Sequence, residues 1–496
     1  MTSKDSCILG VDIGTGSVKA LLVGPLHSTL GVSSAPIEIV RPRPLWAECD
    51  PETWWKALRT AVTEAIKAAS LAPRSVEAIG LSAQMHTLVL ATENAESVRP
   101  AIVWLDGRAE EDLDAFRSLP FSLKLKLGNP LVAGMTGPLL HWLCRKEPES
   151  LERAAWVLQP KDWVRLRLVG MAASEQTDAS ATLLYDLFGE DWAWEVVDAL
   201  RLPRHLLPPL YASDDLAGLL GQQPAQELGL PTGIPVAFGA GDTAAALVGS
   251  GIGEPGQVFL NIGSAAQVVA IRERPSPDPD LRYHLFASVR PRQWYALAGV
   301  QAAGIALSWG LSVLQATWEE AYGLIGETDG SAGDLFFIPH LAGARSPSMD
   351  ASARGAFLGA DLRHDRLDLL KAIFEGVAFS IADAAWTLPE AHETEAIYLA
   401  GGGSLNPAWR RFLCDLLGKR LLVIDNPNAS ARGAALLAAK AAGLLDKAEL
   451  EPRIVASVEP DPKRHDRLLN SYSHWKHFEQ LVVSGGRQVS SSQIST

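Results

Sequence analysis

The chain has 496 residues, 47% hydrophobic and 20% charged, with 44 Lys and Arg against 57 Asp and Glu. That balance excludes disordered, collagenous and coiled-coil chains, and a net charge of -13 does not suit a protein that lives on nucleic-acid phosphates. No apolar run of about 18 residues occurs, so no membrane span is expected.

Met-Thr-Ser-Lys at the start shows no basic-then-apolar leader, and the expected compartment is the cytoplasm. The length suggests about three domains or two large ones. Cys7, Cys49, Cys144 and Cys414 are far apart and form no C-x-x-C, so they read as reduced thiols rather than zinc ligands.

The first element is Ile8 to Val23, two apolar runs around Gly14-Thr15-Gly16-Ser17, which predicts a β-hairpin. Asp50-Pro51-Glu52 then signals a helix start, with Trp54, Leu58, Val62 and Ile66 at helical spacing. A strand is expected at Ala78–Ser82, which makes the chain α/β. The hairpin pattern returns at Gln257–Val268, where Ile262-Gly263-Ser264 falls on Ile13-Gly14-Thr15 and Asn261 on Asp12, suggesting two related domains.

Leu367 to Ile381 keeps helical spacing, and Ile397–Ala400 reads as a strand running into Gly401-Gly402-Gly403-Ser404. Asn406 is expected to cap a helix, followed by a strand at Leu421–Ile424 and a small-residue helix from about Ser430. The Ser/Gln-rich end, 483–496, is expected to be a disordered tail.

Several segments carry candidate chemistry. Gly14, Thr15, Gly16 and Ser17 permit close approach of phosphate oxygens, and Asp12 just before them suits Mg²⁺; the plainer reading is an ordinary turn. Asp242 follows Gly241 at the start of a small-residue helix, either as its cap or as a general base. Gln84, Met85 and His86 end a strand in a polar cluster that suits a polyol. Trp46 offers a ring for a sugar face, although any one of 15 Trp reads first as core. Gly401 to Gly403 clear room beside a flat ring or a phosphate. The dinucleotide fingerprint, the P-loop, H-E-x-x-H and G-x-S-x-G are all absent.

Taken in order, these segments resemble the FGGY family of carbohydrate kinases, and within it the xylulokinases, from about Ile8 to about Val482. Gly10-Val11-Asp12-Ile13-Gly14-Thr15 and Asn261-Ile262-Gly263-Ser264-Ala265 resemble its two phosphate loops. Pro44-Leu45-Trp46-Ala47-Glu48, Gln84-Met85-His86 and Ile102-Val103-Trp104-Leu105-Asp106-Gly107-Arg108 resemble xylulokinase segments.

The resemblance implies two actin-like (ribonuclease H-like) ATPase domains flanking a catalytic cleft. It divides the chain into 7–250, with the sugar site and first loop, and 251–482, with the second loop and adenosine site. It implies ATP-dependent phosphorylation of a ketopentose hydroxyl, D-xylulose first, with Asp242 as base and Asp12 on Mg²⁺. Gln84, Met85, His86, Trp46 and Thr243 would face the sugar. Thr15, Gly16, Ser17, Lys19, Gly263, Ser264, Gly401, Gly402, Gly403 and Asn406 would face the nucleotide.

The expected partners are a sugar and ATP, without nucleic acid or membrane, with a homodimer left open. Thr243, Ala83, Thr87 and Ala344 depart from the xylulokinase pattern and bear on which sugar is taken. The alternatives are a kinase for another ketose or a polyol, ribulose-type included, or a non-kinase actin-fold ATPase or sugar sensor.

Overall fold

The computed structural model describes residues 6–327, 334–445 and 450–493, with side chains as far as Val483. Its frame is a pair of seven-stranded mixed sheets. The first uses β1 (Cys7–Ile13), β2 (Ser17–Val23), β3 (Thr29–Pro36), β4 (Val76–Ala83), β5 (Leu216–Leu219), β6 (Pro235–Ala237) and β7 (Ala240–Gly241). The second uses β8 (Val258–Ile262), β9 (Ala266–Arg272), β10 (His284–Ala287), β11 (Trp294–Val300), β12 (Ala396–Ala400), β13 (Arg420–Ile424) and β14 (Ile454–Val458).

The strand order is β3-β2-β1-β4-β6-β5 in the first sheet and β11-β9-β8-β12-β13-β14 in the second. The pairing senses match strand for strand. Each sheet holds a hairpin, a third antiparallel strand, two parallel neighbours and an antiparallel edge. The two-hairpin repeat expected from the sequence is therefore a repeat of whole sheets. β7 and β10 are the additions.

Local signals account for the helices. Asp50 accepts the Glu52 N–H at 3.0 Å and opens α1 (Pro51–Ala69), which buries Trp54, Leu58, Val62 and Ile66 and lies over β2 and β3. α2 (Asp242–Ser250) follows β7. In the second half come α3 (Gly304–Val313), α4 (Arg366–Trp386), α5 (Pro407–Leu417), α6 (Ala429–Ala441) and α7 (Pro462–Gln493). Helical backbone runs through 484–493, where composition predicts a disordered tail; extending an established helix needs no new nucleus. Residues 494–496 lie outside the described residues.

The halves meet through α2 and α6. α6, from the second half, packs on β1 and β4 of the first sheet. An added Cβ on Gly10 would stand 1.8 Å from the Ala431 carbonyl oxygen, and one on Gly80 1.8 Å from that of Ala434. α2 crosses α6 just as closely: a Cβ on Gly433 would lie 1.8 Å from the Ala245 oxygen, and one on Gly249 2.0 Å from the Ala429 oxygen. α2 joins Phe259, Val269, Tyr295 and Leu297 of the second half in one apolar cluster. The four cysteines are free thiols. Among the described residues, no helix is long and apolar enough to cross a membrane.

Candidate active site

Asp12 faces Lys19 across the first hairpin and Ser82 across the parallel ladder. Ser82 Oγ donates to Asp12 Oδ1 at 3.0 Å. Burial raises the Asp12 carboxyl above its ordinary range, against the Ser82 hydrogen bond and the charge of Lys19. β7 runs beside the end of β4, setting Ala240 against Ser82 and Gly241 against Ala83. Asp242, the next residue, therefore arrives at the same end of the sheet as Asp12. Burial lifts its carboxyl to about 7 and the charge of Asp12 pushes the same way, while the Thr243 N–H at 2.6 Å and hydroxyl at 3.2 Å oppose the rise.

The capping reading of Asp242 does not hold. Gly241 fills the cap position without a side-chain bond, and Asp242 is the first helical residue. Thr243, expected at the sugar, donates its hydroxyl to Asp242 Oδ1 at 3.2 Å.

The first turn is braced from behind. Thr15 Oγ1 accepts from Trp104 Nε1 at 2.9 Å and donates to Gln84 Oε1 at 3.1 Å. Gln84, only 1% exposed, also sets its Nε2 3.5 Å from the Gly14 carbonyl. Two side chains read as ligand contacts thus hold the turn's shape, and Gly16 stands exposed at its tip.

The Met85–His86 segment meets the second half. Tyr295 donates its hydroxyl to Met85 Sδ at 3.8 Å. His86 has a φ of 69°, rare for a residue with a side chain and a frequent mark of a functional site. Its Nδ1 lies 2.6 Å from the Ala181 carbonyl, which makes Nδ1 the protonated nitrogen and leaves Nε2 as an acceptor. Burial, opposed by the Ala181 hydrogen bond and helped by the charge of Arg345, pushes the imidazole down to about 4. Arg345 itself stands over the Trp104 ring, its Cζ 5.5 Å from the centroid.

Trp46 is half-buried, and charged and aromatic groups flank its ring. Arg108 and Arg43 approach its centroid to 3.6 and 4.7 Å, and Trp142 meets it edge-on at 5.5 Å. Arg108 in turn forks onto Asp106 at 2.9 and 2.8 Å and reaches Glu48 at 2.8 Å. The two tryptophan-bearing segments noted in the sequence thus form one charge-locked unit.

In the second half, Gly263 and Ser264 are exposed at the turn between β8 and β9. α3 begins against that turn, with Gly304 N–H on the Gly263 oxygen and Ile305 N–H on the Ser264 oxygen, both at 3.1 Å. Gly401, at φ 86°, lies so close that a Cβ would come within 2.4 Å of the Ile262 oxygen; on Gly403 it would come within 2.5 Å of Ile262 Cγ2. Gly402 opens onto free space. Asn406 commits its Oδ1 to capping α5, accepting from Ala408 N at 2.8 Å and Trp409 N at 3.3 Å.

Trp104, Tyr295, Arg345 and Thr177 belong to this region and carry no role in the sequence reading. Trp104 and Arg345 stand in conspicuous segments. Tyr295 lies inside an apolar strand and gives no signal.

Two like-built halves, each with a glycine-bearing hairpin turn, and two carboxylates at one end of the first sheet suit a phosphotransferase. The chain belongs to the FGGY family of carbohydrate kinases: the family's N-terminal domain matches residues 7–249 and its C-terminal domain 259–442. It is 32% identical over 419 residues to a xylulose kinase of Escherichia coli (strain K12), covering 83% of this chain and 85% of that one. Among solved structures it is similar to a xyloylose kinase from Brucella ovis, with TM-score 0.88, 30% identity, and coverage of 96% and 99% of the two chains. A gluconate kinase from Lactobacillus acidophilus superposes with TM-score 0.91 at 22% identity, covering 98% and 99%; that likeness concerns the fold alone.

Proposed function

We propose that this sugar kinase transfers the γ-phosphoryl group of ATP to a terminal hydroxyl of a ketopentose, with D-xylulose the preferred substrate. The observation that carries the reaction is the Asp12–Asp242 pair at the end of the first sheet, with Asp242 pushed up to about 7, matched to taking a hydroxyl proton near neutrality. The choice of D-xylulose is supported by Gln84-Met85-His86 and by the xylulose kinase relatives.

In this reading the hydroxyl oxygen attacks the γ-phosphorus, the bond to the β-phosphate bridging oxygen breaks, and the hydroxyl proton passes to Asp242. His86 Nε2 accepts from a sugar hydroxyl and Met85 lines the pocket. Trp46 bears on the sugar through the position of Arg108. Residues 7–250 hold the sugar, the first turn and the base; residues 251–482 hold the second turn and adenosine. Gly16, Ser17, Lys19, Gly263 and Ser264 face the phosphates, and Gly401 to Gly403 face the adenosine, with Thr15 and Asn406 shaping the two sides.

Two neighbouring carboxylates, one of which raises the other, suit a divalent cation held by one protein carboxylate and completed by phosphates and water. Asp12 would hold Mg²⁺, which supplies charge neutralisation on the β- and γ-phosphates when bound. Asp12→Ala is expected to raise the Mg²⁺ concentration for half-maximal rate at least tenfold, with sugar affinity within threefold of the parent. An unchanged Mg²⁺ titration would remove Asp12 from that role.

The test of function is ADP release from Mg·ATP across D-xylulose, D-ribulose, L-ribulose, L-xylulose, glycerol, gluconate and several hexuloses. A clear D-xylulose preference supports the reading. Preference for another member keeps the kinase and shifts attention to Ala83, Thr87 and Thr243. Hydrolysis indifferent to every sugar would end the kinase mechanism. The reading implies a cytoplasmic enzyme; light scattering tests the homodimer.

A further inference from the structure

Behind Asp242 lies a cluster of charges fully closed to solvent: Lys161, Asp162, Arg165, Glu175 and Asp178, each 0% exposed. Lys161 Nζ stands 2.8 Å from Asp162, 3.1 Å from Glu175 and 2.6 Å from Asp178, and Arg165 stands 2.8 Å from Asp162. Taking such ions out of water costs several kcal/mol each, and apolar packing of equal volume often serves stability as well. Stability is therefore a poor account of the cluster.

One arm of it reaches the active site. Glu175 Oε2 accepts from Thr177 N–H at 2.8 Å and Ser213 Oγ at 2.6 Å, and its Oε1 accepts from Asp178 N–H at 3.0 Å. Thr177 gives its hydroxyl proton to the same Oε1 at 2.7 Å. With its proton fixed there, the Thr177 oxygen accepts the Gly241 N–H at 2.8 Å. Gly241 is the residue from which the Asp242 backbone departs. It is hemmed in further: a Cβ on it would stand 2.9 Å from Met85 Cγ and 3.1 Å from Asp178 Oδ1.

We propose that Thr177 is a positioning residue for phosphoryl transfer: its hydroxyl, oriented by Glu175 and Lys161, holds the Gly241 N–H and so sets where the Asp242 carboxylate stands. This rests on the reading of Asp242 as the base. The link is directional. A carboxylate cannot donate, so the hydroxyl must give its proton to Glu175 and turn a lone pair to Gly241. A valine of the same shape makes neither bond. Released from Thr177, the start of α2 is free to shift, and a misplacement of about 1 Å at a reacting group can lower the rate about 100-fold.

The test is steady-state kinetics of the full chain with Mg·ATP and the sugar turned over fastest by the parent. Thr177→Val is expected to lower kcat about 10- to 100-fold while sugar KM stays within about threefold, and Thr177→Ser to bring kcat back to within about threefold of the parent. Sugar-induced tryptophan quenching on each variant verifies the fold independently of turnover. Should the valine variant not fold, Thr177→Ala, which makes no steric demand, carries the same expectation. A folded Thr177→Val or Thr177→Ala with parental kcat, or a Thr177→Ser as slow as the valine variant, overturns the proposal. An active Asp242→Asn would instead overturn the reading beneath it.

Discussion

Asp242→Asn is expected to lower sugar-dependent ADP formation by about 10²- to 10⁴-fold, the usual contribution of a positioned base, with sugar binding retained. The parent's kcat/KM should fall about tenfold per pH unit below about 7, where the free carboxyl takes up its proton. The same substitution should stabilise the fold at alkaline pH. The folded carboxyl titrates near 7 against an ordinary value of 3.8, so between those pH values the folded state keeps a proton that the unfolded chain has lost. Stability from this group is full below pH 3.8, declines as pH rises, and is gone above 7.

A shift of about three pH units sets a ceiling of ~4 kcal/mol, reduced by the water that reaches a partly exposed carboxyl. Asparagine has nearly the same shape and no charge to bury. The variant should therefore melt above the parent at pH 8 and together with it near pH 4. Lower melting at pH 8 would mean that Asp242 is held by favourable contacts rather than strained by burial.

Gly433→Ala is expected to destabilise the chain by more than about 3 kcal/mol, because the new methyl would need the place of the Ala245 carbonyl. The obstacle is backbone in another helix, so no rotamer change relieves it. Denaturant unfolding, with Gly443→Ala not a suitable control because of its φ of 69°, is best compared with Gly323→Ala, where a Cβ meets nothing within 4 Å. Gly433→Ala at parental stability would show that α2 and α6 can part without loss.

The fold was legible where one short signal decides one element. Asp50-Pro51 opens α1, the paired Gly turns give the hairpins, and Asn406-Pro407 opens α5. The site was legible as a set of segments, less so as roles. Thr15 and Gln84 look like ligand contacts because both are polar and near glycines; only the third dimension reveals that they bond each other and Trp104. Trp46 reads as a ring for a sugar face, and nothing in the local sequence places Arg108 and Arg43 against it. Tyr295 and Thr177 come from remote stretches, and nothing in local sequence ties either to Asp242.

The α2–α6 crossing acts as a clamp on the start of α2. Backbone meets backbone at Gly433 and Gly249, and around that contact Ala244, Leu247 and Val248 of α2 share one buried apolar cluster with Leu436 and Leu437 of α6. Ala245, which lies against Gly433, is three residues from Asp242, and Ser430 Oγ donates to the Asp242 carbonyl oxygen at 3.2 Å, so α6 grips the same turn of α2 that carries the carboxylate. A helix of the second half thus shares in fixing where a first-half carboxylate stands, so neither half alone holds that end of the sheet in place.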